Sequence, residues 1–299
     1  MASSTIDLFI NPTAGRGRAG KRLSRICELA ESLDVVFSVH ASRALGDLER
    51  QVQRFVLSGG SRLVVAGGDG SIHEAVNGIM TAGGDASLGV IPTGTGNDFA
   101  KAANITLDWE QATLELAKRI ASRETWRRVD IGVMNERFFA NGAGVGFDAK
   151  VTELARSYTL PIGDIVYLIA IFRGMIEGIS TPEFLIDADG QERSGPVTLA
   201  NIASGPWVGG MFHIAPDARN NDGHFDMIVA DPVSRLRILQ LIPKLMRGTH
   251  MNEPEISHLP VQRVRISSEE PVPSHLDGEV QPPQQQFDIR VLPNALTIL

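Results

Sequence analysis

Three times within the first hundred residues, a short apolar run ends in a loop of small and glycine residues and gives way to helix-like sequence. The clearest case runs from Leu63 to Ala66 into Gly67-Gly68-Asp69-Gly70-Ser71, after which Ile72, Val76 and Ile79 recur at helical spacing. A second follows Leu88 to Pro92 with Thr93-Gly94-Thr95-Gly96-Asn97-Asp98, and a third follows Ile6 to Ile10 with Asn11-Pro12-Thr13-Ala14-Gly15. With Val35 to His40 and helices expected near Lys21 to Leu33 and Leu45 to Leu57, strands and helices alternate through about residue 130. Such alternation predicts an α/β, Rossmann-like N-terminal domain with a mostly parallel sheet and helices on both faces. Loops on successive strands of that sheet gather at its carboxyl edge, where open α/β folds bind ligands.

The loop chemistry is specific. Glycines let the main chain approach an anion closely, and a helix N-terminus adds backbone N–H groups and a favourable dipole. A carboxylate inside such a cradle is self-defeating unless a cation or a proton-donating substrate accompanies the anion. Asp69 and Asp98 each have a modest alternative reading, a turn acid and a helix cap. Two carboxylates about 4 Å apart repel by roughly 4 kcal/mol at an effective dielectric near 20. Nucleotide phosphate with Mg²⁺ satisfies both requirements.

After Trp126 the texture changes to short alternating stretches, Arg137 to Asn141, Val197 to Ala203, Phe225 to Ala230, Arg263 to Ile266 and Phe287 to Leu292, separated by turn residues. These predict a β-rich antiparallel sandwich as the C-terminal domain. The segment Ile162 to Ile179 is more apolar than one helical face requires. It reads as a core helix or, with Trp207 and Met211, as part of an acyl slot between the domains. Its longest apolar run, Ile165 to Phe172, is far short of the roughly 20 residues a spanning helix needs. One cysteine, Cys27, and a start without a basic and apolar leader lead to the expectation of a cytoplasmic protein. The net charge of −7 argues against a nucleic-acid partner.

Gly15 to Arg22 nearly spells a P-loop, but Arg22 stands where a Ser or Thr would ligate Mg²⁺. The basic run Arg16, Arg18, Lys21, Arg22 and Arg25 reads either as a solvated face or as a landing patch for anionic headgroups at a membrane surface, where each charge contributes on the order of 1 kcal/mol.

The three loops, together with Gly209-Gly210-Met211, Asn221-Asp222-Gly223 and Leu276-Asp277-Gly278-Glu279, resemble the motifs of the diacylglycerol kinase family of lipid kinases over most of the chain. The resemblance implies ATP and Mg²⁺ as cofactors and a lipid hydroxyl as acceptor. It implies nucleotide contacts from Asn11, Pro12, Thr13, Ala14, Gly15, Ser42, Gly67, Gly68, Asp69, Gly70, Ser71, Glu74, Thr93, Gly94, Thr95 and Asn97. Asp69, Asp98 and Asp130 would organise Mg²⁺ through water, and Asp69 or Glu279 would take the hydroxyl proton. By the residues alone, Asp277-Gly278 is only a hairpin signal. The family further implies a metal at Asp222 with the backbone carbonyls of Arg219 and His224, and a return of residues 293–299 to the first domain, giving domains of 1–131 and 132–292. Homodimers occur in the family and are an expectation here. Ser71 and His73 replace a common Thr and Asn of the group, and the His is found among sphingoid-base kinases. That difference raises the sphingoid-base alternative, while the family resemblance makes diacylglycerol the leading acceptor. A sphingoid base, phosphatidylglycerol, NAD, or no acceptor in a nucleotide-binding module remain as alternatives.

Overall fold

A computed structural model describes residues 4–122, 127–158, 163 and 165–299; Trp126 and Ile162 lie outside the described residues. The chain forms two units, residues 1–130 with 294–299, and residues 131–293.

In the first unit, β1 (Ser4–Ile10), α1 (Arg18–Glu31), β2 (Val35–Ala41), α2 (Asp47–Leu57), β3 (Arg62–Gly67), α3 (Asp69–Thr81), β4 (Ser87–Pro92), α4 (Asp98–Ala102) and α5 (Trp109–Ser122) follow in order. The strands lie β4-β3-β1-β2, all parallel. β3 and β4 are buried from their second residue onward, which is why they read as continuous apolar runs rather than as alternating ones. Leu8, Ile10, Val64, Ala66 and Ile91 pack with Ile26 of α1 and with Leu116 and Ile120 of α5. Helix α1 starts at Arg18, before the expected Lys21, because Gly17 at φ 82° turns the chain directly into it.

β5 (Arg127–Met134) leads into the second unit, which holds β6 (Arg137–Phe139), β7 (Gly142–Gly146), α6 (Phe147–Arg156), α7 (Ile165–Glu177), β8 (Glu183–Ala188), β9 (Gln191–Pro196), β10 (Leu199–Ala203), β11 (Phe225–Ala230), α8 (Arg235–Arg247), β12 (Ile256–Val261), β13 (Arg263–Leu276) and most of β14 (Glu279–Ile298). The strand order β12-β11-β10-β7-β13 is antiparallel throughout, and β8 joins β13 further along that strand. Shifts in the β13–β14 register between Ser267 and Ser274 allow the one long strand to serve both partners. Phe139, Phe184, Phe225 and Phe287 anchor the core between the strands.

The antiparallel sheet matches the expectation, but α6 and α8 were not legible. Pro243 lies inside α8 and argues against a helix there. The helix survives because Ser234 accepts the Arg237 N–H at 3.2 Å and Gly248, at φ 69°, closes the other end. The last residues of β14 return to the first unit, where Thr297 and Ile298 pair in parallel with Ser87 and Leu88.

Candidate active site

In the first unit, three loops meet at the carboxyl edge of the sheet. Asn11 Oδ1 accepts from the Thr13 N–H at 3.0 Å and from the Thr13 hydroxyl at 2.7 Å, closing the first loop as a tight turn. The second and third loops touch backbone to backbone: a Cβ on Gly94 would stand 2.4 Å from Gly68 Cα, so neither side tolerates a side chain. Thr93 N–H donates to Gly67 O at 2.9 Å, and Asn97 Oδ1 accepts from the Gly94 N–H at 3.0 Å. Arg18 fastens the first loop to the third, donating to Gly15 O at 2.9 Å, Gly94 O at 3.3 Å and Thr95 Oγ1 at 2.7 Å.

This contact changes the reading of the basic run. Arg18 is part of the loop cluster, Arg22 stacks over Trp109 at 4.9 Å, and Arg25 pairs with Glu28 at 3.2 Å. Partial burial also lowers the Arg22 pKa, with Arg18 adding to the effect. Arg16, Arg18, Lys21 and Arg25 are exposed, and Arg22 is half-buried.

The carboxylates divide. Asp69 opens α3, and its Oδ1 accepts the Phe99 N–H at 3.1 Å, tying the second loop to the start of α4. Asp98 is nearly buried and pairs with Lys101 at 3.0 Å. Asp130 has no exposed surface and accepts the Asn294 N–H at 2.7 Å, where it anchors the returning segment. Glu74 accepts the Glu49 N–H at 3.2 Å and so joins α3 to α2. Ser42, just past β2, donates its N–H to Ile10 O at 2.9 Å. Ser71 is buried beside Gly67.

The residues fit a bound phosphate on two counts. Thr93 Oγ1 is fully buried with no hydrogen-bond partner among the described residues. Gly68 and Gly94 also let the two loops meet with no side chain between them, beside Thr93. For Mg²⁺, the donors are carboxylate oxygens, the ligands this hard cation takes. Among the described residues no three His, Cys, Asp or Glu side chains converge as a metal-holding group, so phosphate oxygens and water would complete its shell.

In the second unit, Asp277 at φ 51° and Gly278 at φ 81° form the hairpin turn that the sequence signals. The Asp277 carboxylate accepts the N–H groups of Ala140 at 3.0 Å, Asn141 at 2.8 Å and Gly142 at 3.1 Å. It holds the turn in place. Glu279 pairs with Arg156 at 2.5 Å, and Arg156 also donates to Gly278 O at 3.0 Å. At the remaining loop, Asp222 Oδ1 accepts the His224 N–H at 3.1 Å, and Arg219 is exposed.

The second unit also contains an apolar cavity of about 140 Å³, walled by Phe147 and Val151 of α6, Ile171 of α7, and Ile238, Ile242 and Leu245 of α8. Every wall residue belongs to this one unit. Trp207 and Met211 are not among the cavity's lining residues: Trp207 stacks on His213 at 4.2 Å, and Met211 packs on the helical cluster. Tyr167 and Ile171 of the apolar segment do line it, whereas Ile165, Phe172 and Ile176 face solvent.

An α/β unit with glycine loops at the carboxyl edge of its sheet is followed along the chain by a β unit with a lipophilic cavity. Residues 5–134 match the diacylglycerol kinase catalytic domain, and residues 141–299 match the YegS C-terminal NAD kinase beta sandwich-like domain. A diacylglycerol kinase of Bacillus subtilis (strain 168) is 31% identical over 278 residues, 91% of this chain and 88% of that protein. One of Staphylococcus carnosus (strain TM300) is 29% identical over 273 residues, covering 91% and 87%. A solved structure of a diacylglycerol kinase from Bacillus anthracis str. Sterne shares the fold at TM-score 0.72 and 21% identity, covering 99% of this chain and 96% of that one. A second from the same strain reaches TM-score 0.79 at 25% identity with the same coverage. The chain belongs to the diacylglycerol kinase family and is a lipid kinase.

Proposed function

We propose that the protein transfers the γ-phosphoryl group of ATP, with Mg²⁺, to the hydroxyl of diacylglycerol, giving phosphatidic acid. The observation that carries the reading is the cluster of three loops tied by Arg18 around the partnerless Thr93 hydroxyl, a site shaped for phosphate. The apolar cavity of the second unit supports a lipid acceptor.

In phosphoryl transfer a protein positions the nucleophile and stabilises charge on the transferring group, and Mg²⁺ supplies charge neutralisation between phosphate oxygens when bound. Asp69 and Asp98 are the residues that would hold it. Thr93 and Thr95 hold the phosphates, with Arg18 fixing the loops. The lipid hydroxyl oxygen forms the new bond to the γ-phosphorus as the bond to the β-phosphate oxygen breaks and ADP leaves. Its proton passes to Asp69 or Glu279. Asp130, wholly buried, acts by holding residues 294–299.

No helix among the described residues is long and apolar enough to cross a membrane. We assign contact with the lipid surface to exposed Ile165, Phe172 and Ile176 of α7 and Leu236, Leu239 and Met246 of α8, since the opposite faces of these helices line the cavity. The basic run Arg16, Arg18, Lys21 and Arg22 is a second surface for that contact, with Arg18 and Arg22 also engaged within the first unit.

The test is transfer of label from γ-labelled ATP to mixed micelles carrying, in turn, diacylglycerol, a sphingoid base and phosphatidylglycerol, with NAD as a soluble control. Labelled phosphatidic acid as the dominant product is expected. Preferred labelling of another acceptor would reassign the substrate.

A further inference from the structure

The cavity of the second unit is apolar along its walls and polar at one end, where Asp148, Asn201 and His275 meet. Each Asp148 oxygen already has a donor: Oδ1 accepts the Ala149 N–H at 2.8 Å, and Oδ2 accepts from Asn201 Nδ2 at 3.1 Å. His275 differs. It is 2% exposed, and its Nε2 has no hydrogen-bond partner among the described residues, standing 3.6 Å from Asp148 Oδ2, beyond hydrogen-bonding distance. Its other nitrogen, Nδ1, accepts the Gly278 N–H at 3.4 Å. An accepting Nδ1 places the proton of a neutral imidazole on Nε2, so the cavity end carries one buried N–H donor with nothing to bond.

Buried donors are normally satisfied, and one left over at the end of an apolar cavity marks where a ligand's oxygen belongs. The neighbourhood is built around it. A Cβ on Gly144 would stand 2.4 Å from His275 Nε2 and 2.1 Å from Asp148 Oδ2, so the absence of a side chain there is what admits both groups. The residue that His275 holds through Nδ1 is Gly278, next to Glu279. Tyr167 Oη, also on the cavity wall, lies 4.0 Å from the position of a Cβ at Gly278, so cavity end and turn are adjacent within this unit.

We propose that His275 is a positioning residue for the acceptor: its Nε2–H donates to an ester carbonyl oxygen of an acyl lipid seated in the cavity, setting the free hydroxyl beside the Asp277-Gly278-Glu279 turn. The inference rests on the lipid-kinase reading above. At about 140 Å³, below the roughly 300 Å³ of a typical small-ligand site, the cavity admits a segment of one acyl chain. The donor therefore meets the head end of the lipid rather than its tail.

An ester carbonyl and an ether oxygen differ in accepting strength, which gives the test. Dioctanoylglycerol and its dioctyl ether counterpart are compared as acceptors for the wild type, His275→Leu and His275→Gln, with ATP saturating. In parallel, each lipid displaces an environment-sensitive fluorescent fatty acid from the same proteins, a readout that needs no turnover. Wild type should prefer the ester by about tenfold in both assays, the worth of one ordinary hydrogen bond. His275→Leu should lose that preference by weakening the ester alone, raising its KM while leaving the KM for ATP within about twofold. His275→Gln, which keeps an N–H donor, should recover most of it. Equal losses on ester and ether in His275→Leu, or an unchanged ester preference, would overturn the assignment. If wild type discriminates in displacement, His275→Leu abolishes that discrimination and neither lipid is labelled, the kinase reading fails while the contact of His275 with the ester stands.

Discussion

Asp69 and Asp130 are both carboxylates that accept a backbone N–H, from Phe99 and Asn294 respectively, yet their surroundings give them different work. Asp69 keeps partial exposure at the head of α3, whereas Asp130 has none. Asp69→Asn retains an oxygen for the Phe99 N–H, so kcat should fall by about a hundredfold or more with the unfolding midpoint preserved. Asp130→Ala strands the Asn294 N–H and should cost about 1–3 kcal/mol in urea unfolding. A retained kcat in the first, or an unchanged midpoint in the second, would contradict these roles. Sequence alone could group the acids by resemblance but not separate them, because burial depends on where residues far apart in the chain meet. Asp277 illustrates the same limit. Its turn was legible from Asp-Gly, but not the three N–H groups from residues 140–142 that occupy its carboxylate. Arg18 looked like one charge in a basic run, and its bonds to Gly94 and Thr95 depend on a loop 76 residues away.

The helices of the second unit carry consequences of their own. α7 turns Tyr167 and Ile171 inward and leaves Phe172 and Ile176 in solvent, with Ile176 at 78% exposure. Replacing both exposed residues by Asp should reduce phosphorylation of diacylglycerol in vesicles by about tenfold or more, while activity on soluble dioctanoylglycerol stays within about twofold. Equal effects on both substrates would show that the face serves folding rather than membrane contact. Beyond α8, His250 donates Nε2–H to Ile214 O at 3.0 Å, and its Nδ1 is buried without a partner among the described residues. Burial depresses its pKa, with the Ile214 hydrogen bond partly offsetting the shift. The folded state thus resists protonation that the unfolded chain accepts near its ordinary value of about 6.5. Stability is full above that value and is lost as pH falls toward the depressed folded pKa. Thermal unfolding should weaken between about pH 7 and 5, and His250→Gln should flatten that slope. Parallel slopes in the two proteins would exclude His250 as its origin.

Across the whole molecule, the alternation of the first 130 residues was readable because each strand of a covered parallel sheet is an uninterrupted apolar run and each loop is marked by glycine. The second unit was readable as strands but not in full. Gly142–Gly146 forms a buried strand without a large side chain to announce it, and Pro243 obscured α8. The chain's end closes the first unit: Leu296, Ile298 and Leu299 are buried, and Ile298 pairs with Leu88. Removing residues 294–299 should expose an edge of β4 and cost about 3 kcal/mol or more, measured by urea unfolding. A variant as stable as the full chain would deny the segment that role. The central claim is that ATP donates a phosphoryl group to diacylglycerol here. The direct measurement is the mass of phosphatidic acid formed from diacylglycerol micelles with ATP and Mg²⁺, compared with the same mixture holding excess chelator and with Asp69→Asn. Product that accumulates only with free Mg²⁺ and intact Asp69 is predicted; ATP binding without any phosphatidic acid would contradict the account.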